Sequence, residues 1–476
     1  MSTSEITQPL QPRFSLARAG RWAPLPVLLT GTFIMVLDFF IVNVALPSIQ
    51  SGLHASSSAI EWIVAGYGLT SAVFLVTGGR LGDRLGRRRT FSFGLGLFTL
   101  ASAVCGIAPD STMLVIARLV QGVGGALLMP NVMAIIGVAY SGEDRVKALS
   151  AYGMVMGLAA VGGQLIGGIL VQADLFGLGW RTCFLINVPI GIAALVMAPR
   201  TVPESRDARS TKLDPVGTVL LTAALTALVL PLLDGRLHGW PLWTWMSLAA
   251  APVLLVAFGL QQRGLARRGG APLIDPRLFA HRTFTAGLVA QLVFWCGQAS
   301  FFLVLALYLQ SGRGLSALHA GLVFTILAIA YLAASLRAPE LAVKHGREVL
   351  AAGALTLAAG HAVLLITIGE IGVGGSIAAL VPGLILVGAG MGLGITPLTT
   401  IILSGMQPEQ AGAASGALTT MQNVGNAIGV ALIGVIFFGA VHSGFAPAFQ
   451  WSLAALAAIL VGVAGLTRLL PRTVAA

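Results

Sequence analysis

The chain has 476 residues, of which 56% are hydrophobic and only 9% charged, and it carries a net charge of +11. A water-soluble fold of this length could not cover so much apolar surface, so the length prior of about three soluble domains gives way to a membrane-spanning chain. The positive charge sits in loops on one side of the apolar runs, which argues against a nucleic-acid partner. No metal-ligand spacing, phosphate-binding loop or nucleophilic triad is read, so neither an enzyme nor a metal or other cofactor is expected.

Residues 1–23 are polar, and the first apolar stretch is too long for a signal-peptide core, so no cleavable signal is expected. Fourteen apolar runs follow, near 25–47, 60–79, 91–108, 112–136, 147–172, 182–199, 213–233, 242–260, 283–309, 318–336, 349–368, 376–402, 411–439 and 447–468. Each is long enough to cross a bilayer as a helix, which satisfies its own backbone in lipid. The predicted fold class is therefore all-α and polytopic. The three cysteines, Cys105, Cys183 and Cys296, lie inside or at the edges of these runs and read as small core residues.

Charge fixes the orientation. With the N-terminus cytoplasmic, 24 of the 28 Lys and Arg fall in cytoplasmic segments, against Arg181, Arg236 and Arg313 outside and Arg118 within a run. Both termini are then cytoplasmic, in a cell (inner) membrane. The loops 200–212 and 261–282 are both basic, so an even number of spans separates them, and 213–233 and 242–260 supply two. The expected organisation is a cytoplasmic tail (1–24), a six-helix bundle (25–199), a linker carrying the inserted pair (200–282), a second six-helix bundle (283–468) and a short tail (469–476). A degenerate repeat, Pro339 to Arg347, occupies in the second half the place that Gly79 to Arg89 occupies in the first.

Particular residues carry the chemistry. Asp38 is the only carboxylate well inside a span, and a charge at that depth costs roughly 2.5–3.5 kcal/mol or more unless it has a partner, water or a proton. Arg118 is the only cation inside a span, and Arg118, Gln121 and Gly125 share one helix face. Counted from the ends of their helices, Asp38 and Arg118 lie at similar depth, roughly 10–14 Å below the surface. They form the candidate proton-coupling pair. Asp83, set among Arg84, Arg87 and Arg88 between Gly82 and Gly86, reads as a latch that can hold two helix bundles together. The glycines beside it are expected to permit a tight turn. Gly153, Gly157, Gly163, Gly167 and Gly168 are spaced for close helix packing. Amides at helical spacing (Gln291 and Gln298 with Trp295, then Gln422, Asn423 and Asn426) suggest a polar cavity, with Asn43, Tyr67, Gln121 and Gln164 as further candidates. Glu61, beside Trp62, reads as an interfacial residue.

The segment Gly79-Arg-Leu-Gly-Asp83-Arg84-Leu-Gly86-Arg87-Arg88-Arg89 resembles the signature loop of the major facilitator superfamily. With the Asp38 segment, residues 118–125, the glycines of span 5 and the Gly412 to Gly429 pattern, the chain resembles the 14-span drug:proton antiporters of that superfamily, the multidrug and quaternary-ammonium exporters. Span 5 departs from that group in having Gly163-Gln164 where Gly-Pro is usual. The resemblance implies a major facilitator fold of two six-helix bundles around a cavity, plus the inserted pair. It also implies alternating access driven by the proton-motive force, with Asp38 and Arg118 in coupling. The expected partners are protons, the lipid bilayer and a small hydrophobic substrate, monocationic or neutral, and the expected state is a monomer. Two other readings stand beside it: an importer of a small metabolite, and a non-transporting membrane sensor.

Overall fold

The computed structural model describes residues 20–206, 214–235, 238–270, 272–404 and 408–470. Most of the predicted N-terminal tail, together with Arg209, Lys212, Arg236 and residues 471–476, lies outside the described residues. Among the described residues every regular element is helical. The chain runs α1 (Pro24–Leu53), α2 (Ser57–Leu85), α3 (Arg87–Gly106), α4 (Ser111–Ala139), α5 (Gly142–Ala173), a short α6 (Thr182–Leu185) continued by α7 (Asn187–Thr201), and α8 (Pro215–Asp234). It goes on through α9 (Leu242–Arg267), α10 (Arg282–Leu307), α11 (Ala317–His345), α12 (Arg347–Ile371), α13 (Val381–Ser404), α14 (Pro408–Ala440) and α15 (Phe445–Leu466).

Among the described residues thirteen helical segments are long and apolar enough to cross a membrane, with α6 and α7 counted as parts of one crossing. The long helix not among them is α3, whose first turn is Arg87, Arg88 and Arg89. Several helices outrun the apolar runs read from sequence. The largest excess is in α11, which continues past the run's end at 336 through Arg337 to His345. A helix keeps its backbone hydrogen bonds after it leaves lipid, whereas hydropathy marks only the immersed part.

Short connections position the helices. A single glycine, Gly86 at φ 114°, separates α2 from α3, and Gly346 at φ 53° separates α11 from α12 in the same way. A backbone at these angles favours glycine, so the degenerate repeat keeps its turn although it lacks the aspartate. Gly82 does not serve that turn. It is helical, and a Cβ there would overlap Asn131 Oδ1, so its role is to admit α4 against α2. Asn131 in turn donates to the Gly78 carbonyl at 3.2 Å.

Helices α1–α7 pack among themselves (α2 and α3 on α4, α5 and α7 on α1), and so do α10–α15 (α11 and α12 on α13, α10 on α14, α12 on α15). The two groups meet where α2 touches α14 and α5 touches α11. The face bearing Gly79–Arg89 is called here the basic face. Contacts between the groups sit near the opposite face. Gln310 Nε2 donates to the Val44 carbonyl at 2.9 Å. Gly168 lies so close to α11 that a Cβ would meet the Ala317 carbonyl at 2.7 Å, and Gly321 lies equally close to the Gln164 carbonyl, at 2.8 Å. Toward the basic face, a Cβ on Gly153 or Gly157 would meet nothing within 4 Å. Gly157 shares a helix face with Gln164 and Gly168, so the α5–α11 seam is shut at one end and parted at the other.

The inserted pair, α8 and α9, packs together and leans on α2 and α14. The pair and the segment that follows it are fastened to α2 at three depths. Ser58 donates to the Asp234 carboxylate near the opposite face, Thr77 and Thr218 hydroxyls lie 3.2 Å apart, and Arg80 donates to the Pro272 carbonyl near the basic face. Asp214 caps α8 by accepting from Gly217 N at 2.8 Å, and it also accepts from Gln262 Nε2 at 2.6 Å. Gln262 Oε1 accepts from Ile274 N at 3.1 Å. The charged cap and its amide partners hold the base of the hairpin.

Candidate functional site

Asp38 lies in the middle of α1 and is fully buried, as is Arg118 on α4. The Arg118 Nη1 group donates to Asp38 Oδ2 in a closed ion pair. Depth counting from sequence puts the two at one level, and the bundle brings them into contact. A buried carboxylate is tolerated only with its charge matched and its lone pairs occupied, and donors from α4 and α7 meet that demand. The Gln121 Nε2 and Asn187 Nδ2 groups each donate to Asp38 Oδ1 at 2.9 Å. Gln121 Nε2 also donates to Ser102 Oγ at 2.7 Å, and Asn187 Nδ2 reaches the same hydroxyl at 3.4 Å.

Arg118 is held by more than its counter-ion. Its Nε donates to the Ile63 carbonyl at 3.0 Å, and Nη1 also donates to Gln121 Oε1 at 2.7 Å. The guanidinium carbon stands 4.4 Å from the Tyr67 ring centroid and 5.8 Å from that of Phe184, a cation–π cage. Arg118 therefore has neutral acceptors and aromatic faces in place besides Asp38. The cluster can exchange one charge partner for others without a large movement of the side chain.

Gln121 belongs to this cluster rather than to an open cavity, because both ends of its amide are engaged. Tyr67 is likewise buried under the guanidinium. Asn43 is buried and donates to its own helix at Phe39 O, 3.0 Å, and Gln298 does the same at Phe294 O, 3.4 Å. Gln164, Gln291 and Asn426 are buried, with side-chain atoms that have no hydrogen-bond partner among the described residues. Trp295, Gln422 and Asn423 are partly exposed. The ten cavity candidates therefore do not form one open polar wall in this state.

Glu61 is a correction. It reads as interfacial from sequence, yet it is only 1% exposed, because α2 presents it to α14, where a Cβ on Gly434 would lie 2.7 Å from its carboxyl carbon. Asp83 does not reach the second group of helices through any contact described. Its Oδ1 accepts from Arg87 Nε at 2.9 Å and Nη2 at 2.7 Å, within the same junction. Arg88 N donates to Glu204 Oε1 at 3.1 Å, the Arg88 and Arg89 side chains lie 3.7 and 3.8 Å from Glu204, and Arg84 is exposed. Of the five glycines singled out in α5, Gly163 and Gly167 press on α1 at Phe40 and Ile41 and Gly168 presses on α11, whereas Gly153 and Gly157 press on nothing.

Sequence reasoning missed Ser102 and Asn187. The available signal for Asn187 was a lone amide in the apolar run 182–199. It also missed His361, buried in α12 with its ring 4.9 Å from that of Phe301.

Residues 28–430 match the sequence profile described as Major Facilitator Superfamily. The chain belongs to this superfamily. It is 42% identical over 426 residues to the "Probable actinorhodin transporter" of Streptomyces coelicolor, covering 89% of this chain and 74% of that one. It is 34% identical over 453 residues to "Cephamycin export protein CmcT" of Amycolatopsis lactamdurans, covering 93% and 91%. Among solved structures it resembles a D-xylose–proton symporter, with a TM-score of 0.68, 16% identity and coverage of 95% and 98%, a likeness of fold. As a superfamily member it is a multi-pass membrane transporter and not an enzyme.

Proposed function

We propose that this transporter is a proton-coupled antiporter that exports hydrophobic drugs or secondary metabolites, cationic or neutral, from the cytoplasm by alternating access. The observation that carries the reading is the fully buried Asp38–Arg118 pair, with neutral acceptors already seated around the guanidinium. The printed names of its relatives, a transporter and an export protein for natural products, support the direction and the substrate class.

Asp38 takes up a proton from the outside, which neutralises it and releases Arg118 to Gln121 Oε1, the Ile63 carbonyl and the Tyr67 ring. The proton then leaves to the cytoplasm, the ion pair re-forms, and the cavity accepts substrate. Each proton that moves inward yields about 2.3 kcal/mol per 100 mV, to which the pH difference adds. No cofactor is needed, and the chain acts as a monomer in the cell (inner) membrane.

The basic face is cytoplasmic in this reading, with both termini on that side. The structure is then the inward-open state, shut on the outside by Gln310, Gly168 and the Glu61–Gly434 contact. α3 is the fourteenth crossing. It leads from the α2 end on the basic face to Asp110, which caps α4 at the other face, and its 20 residues span about 30 Å. Residues 25–199 and 283–468 are the two rocking units.

The test is proton flux in energised inside-out vesicles, followed with a pH-sensitive dye while lipophilic cations and neutral antibiotics are added in turn. Compound-triggered proton release in wild type but not in Asp38→Asn is the expected result. Compound movement into the cytoplasm down an imposed pH gradient would favour an importer instead.

A further inference from the structure

Asp38 has two oxygens, and the site treats them differently. Oδ2 faces Arg118, while Oδ1 receives two amide donors, Gln121 and Asn187, both at 2.9 Å. The Gln121 amide is shared, since its other end accepts from Arg118. The Asn187 amide is not shared in this way. Its Oδ1 is buried without a hydrogen-bond partner, and the residue is fully buried. An orphaned buried carbonyl carries a desolvation cost that an apolar side chain at this position would avoid. The orientation of the amide is dictated by Asp38, because the reverse orientation would set Asn187 Oδ1 against Asp38 Oδ1. What Asn187 contributes is therefore its Nδ2–H, aimed at the carboxylate.

We infer that Asn187 is a positioning residue for proton coupling: it holds the deprotonated form of Asp38 and reserves Oδ2 as the oxygen that takes the proton. With both lone pairs of Oδ1 occupied by N–H donors, an incoming proton has no site there, since a hydroxyl cannot point at an N–H. It binds the open lone pair of Oδ2, the oxygen that faces Arg118. Protonation there turns the acceptor of the ion pair into a hydroxyl and loosens its hold on Arg118. Without Asn187, Oδ1 has a free lone pair, and a proton bound there leaves Arg118 a carbonyl oxygen as its acceptor. The other titratable groups around Asp38 are Arg118 and, by their neighbouring positions, Tyr67 on α2, Cys105 on α3 and Cys183 on α6. The inference rests on the proposed role of Asp38 and adds Asn187 to it.

Infrared titration of purified protein tests this without a substrate. The protonated-carboxyl band that titrates in wild type and is missing in Asp38→Asn reports on Asp38. Removal of one donor from the carboxylate favours the protonated form, so Asn187→Leu is expected to move the midpoint up by about one pH unit, a tenfold tighter proton. Asn187→Ala, which demands less space, is expected to move it the same way, and it serves if the leucine variant does not fold. In vesicles both variants are expected to release fewer protons per compound transported than wild type, because a proton on Oδ1 leaves Oδ2 a carbonyl oxygen that still holds Arg118. A midpoint unchanged in a folded variant overturns the role of Asn187 and leaves that of Asp38 standing. A wild-type spectrum with no band lost in Asp38→Asn overturns both.

Discussion

At the scale of single residues, the ion pair sets the expectations. Arg118→Leu leaves a carboxylate buried and uncompensated and is expected to cost about 3–5 kcal/mol, seen as a lowered melting temperature in detergent. Asp38→Asn in the same chain should restore much of that loss, because the two sites are coupled. Asp38→Asn alone keeps an acceptor for Asn187 and leaves Arg118 its bonds to Gln121 and Ile63, so it should fold and bind substrate yet show no substrate-linked proton flux. Asp38 and Arg118 were legible in the sequence because an isolated charge in an apolar run must be matched, and depth counting tells which charge can match it. Asn187 and Ser102 were not legible. A lone amide or hydroxyl in a span is common, and only the packing of α7 against α1, and of α3 against α4 and α7, shows that Asn187 points at Asp38 and that Ser102 meets the amides of Gln121 and Asn187.

At the scale of helices, contacts depend on which side of a seam a glycine faces. Gly82→Ala forces a Cβ onto Asn131 and is expected to destabilise the protein by about 1–3 kcal/mol, measured by thermal unfolding, with most of that returned by Asn131→Ala in the double variant. The glycines of α5 split by position. Gly168→Leu would wedge α5 from α11 and is expected to abolish the state seen here, whereas Gly153→Leu leaves this state intact. Spacing alone could mark all five as small-residue positions. It could not show that two of them face a gap, because that depends on how far the second group of helices has tilted. Glu61 failed for a related reason: its sequence context is a helix start beside a tryptophan, and burial comes from α14, a partner far along the chain.

At the scale of the whole molecule, the fold was largely set by where apolar runs and basic loops alternate. The distribution of contacts between the two groups was not, since one sequence must serve several states. A membrane-impermeant thiol reagent can read that distribution. In a background where the buried cysteines Cys105, Cys183 and Cys296 stay unreactive, Gly157→Cys should label from the basic face and Gly168→Cys from neither. Equal labelling of Gly157→Cys from both faces would rule out a seam shut at one end.

The fastening of α8 and α9 to α2 has a mechanical consequence. The hairpin is bolted to the first group of helices by Ser58, Thr77 and Arg80, and Gln262 extends that anchorage to Ile274. Only Asp275–His281 then remains before α10 begins at Arg282. Seven residues pulled straight reach at most roughly 25 Å, and part of that length is coiled into a short 3-10 turn at Pro276–Ala280. The inserted pair thus turns a long linker into a short leash, one that caps how far the second group can swing from the first on the basic side.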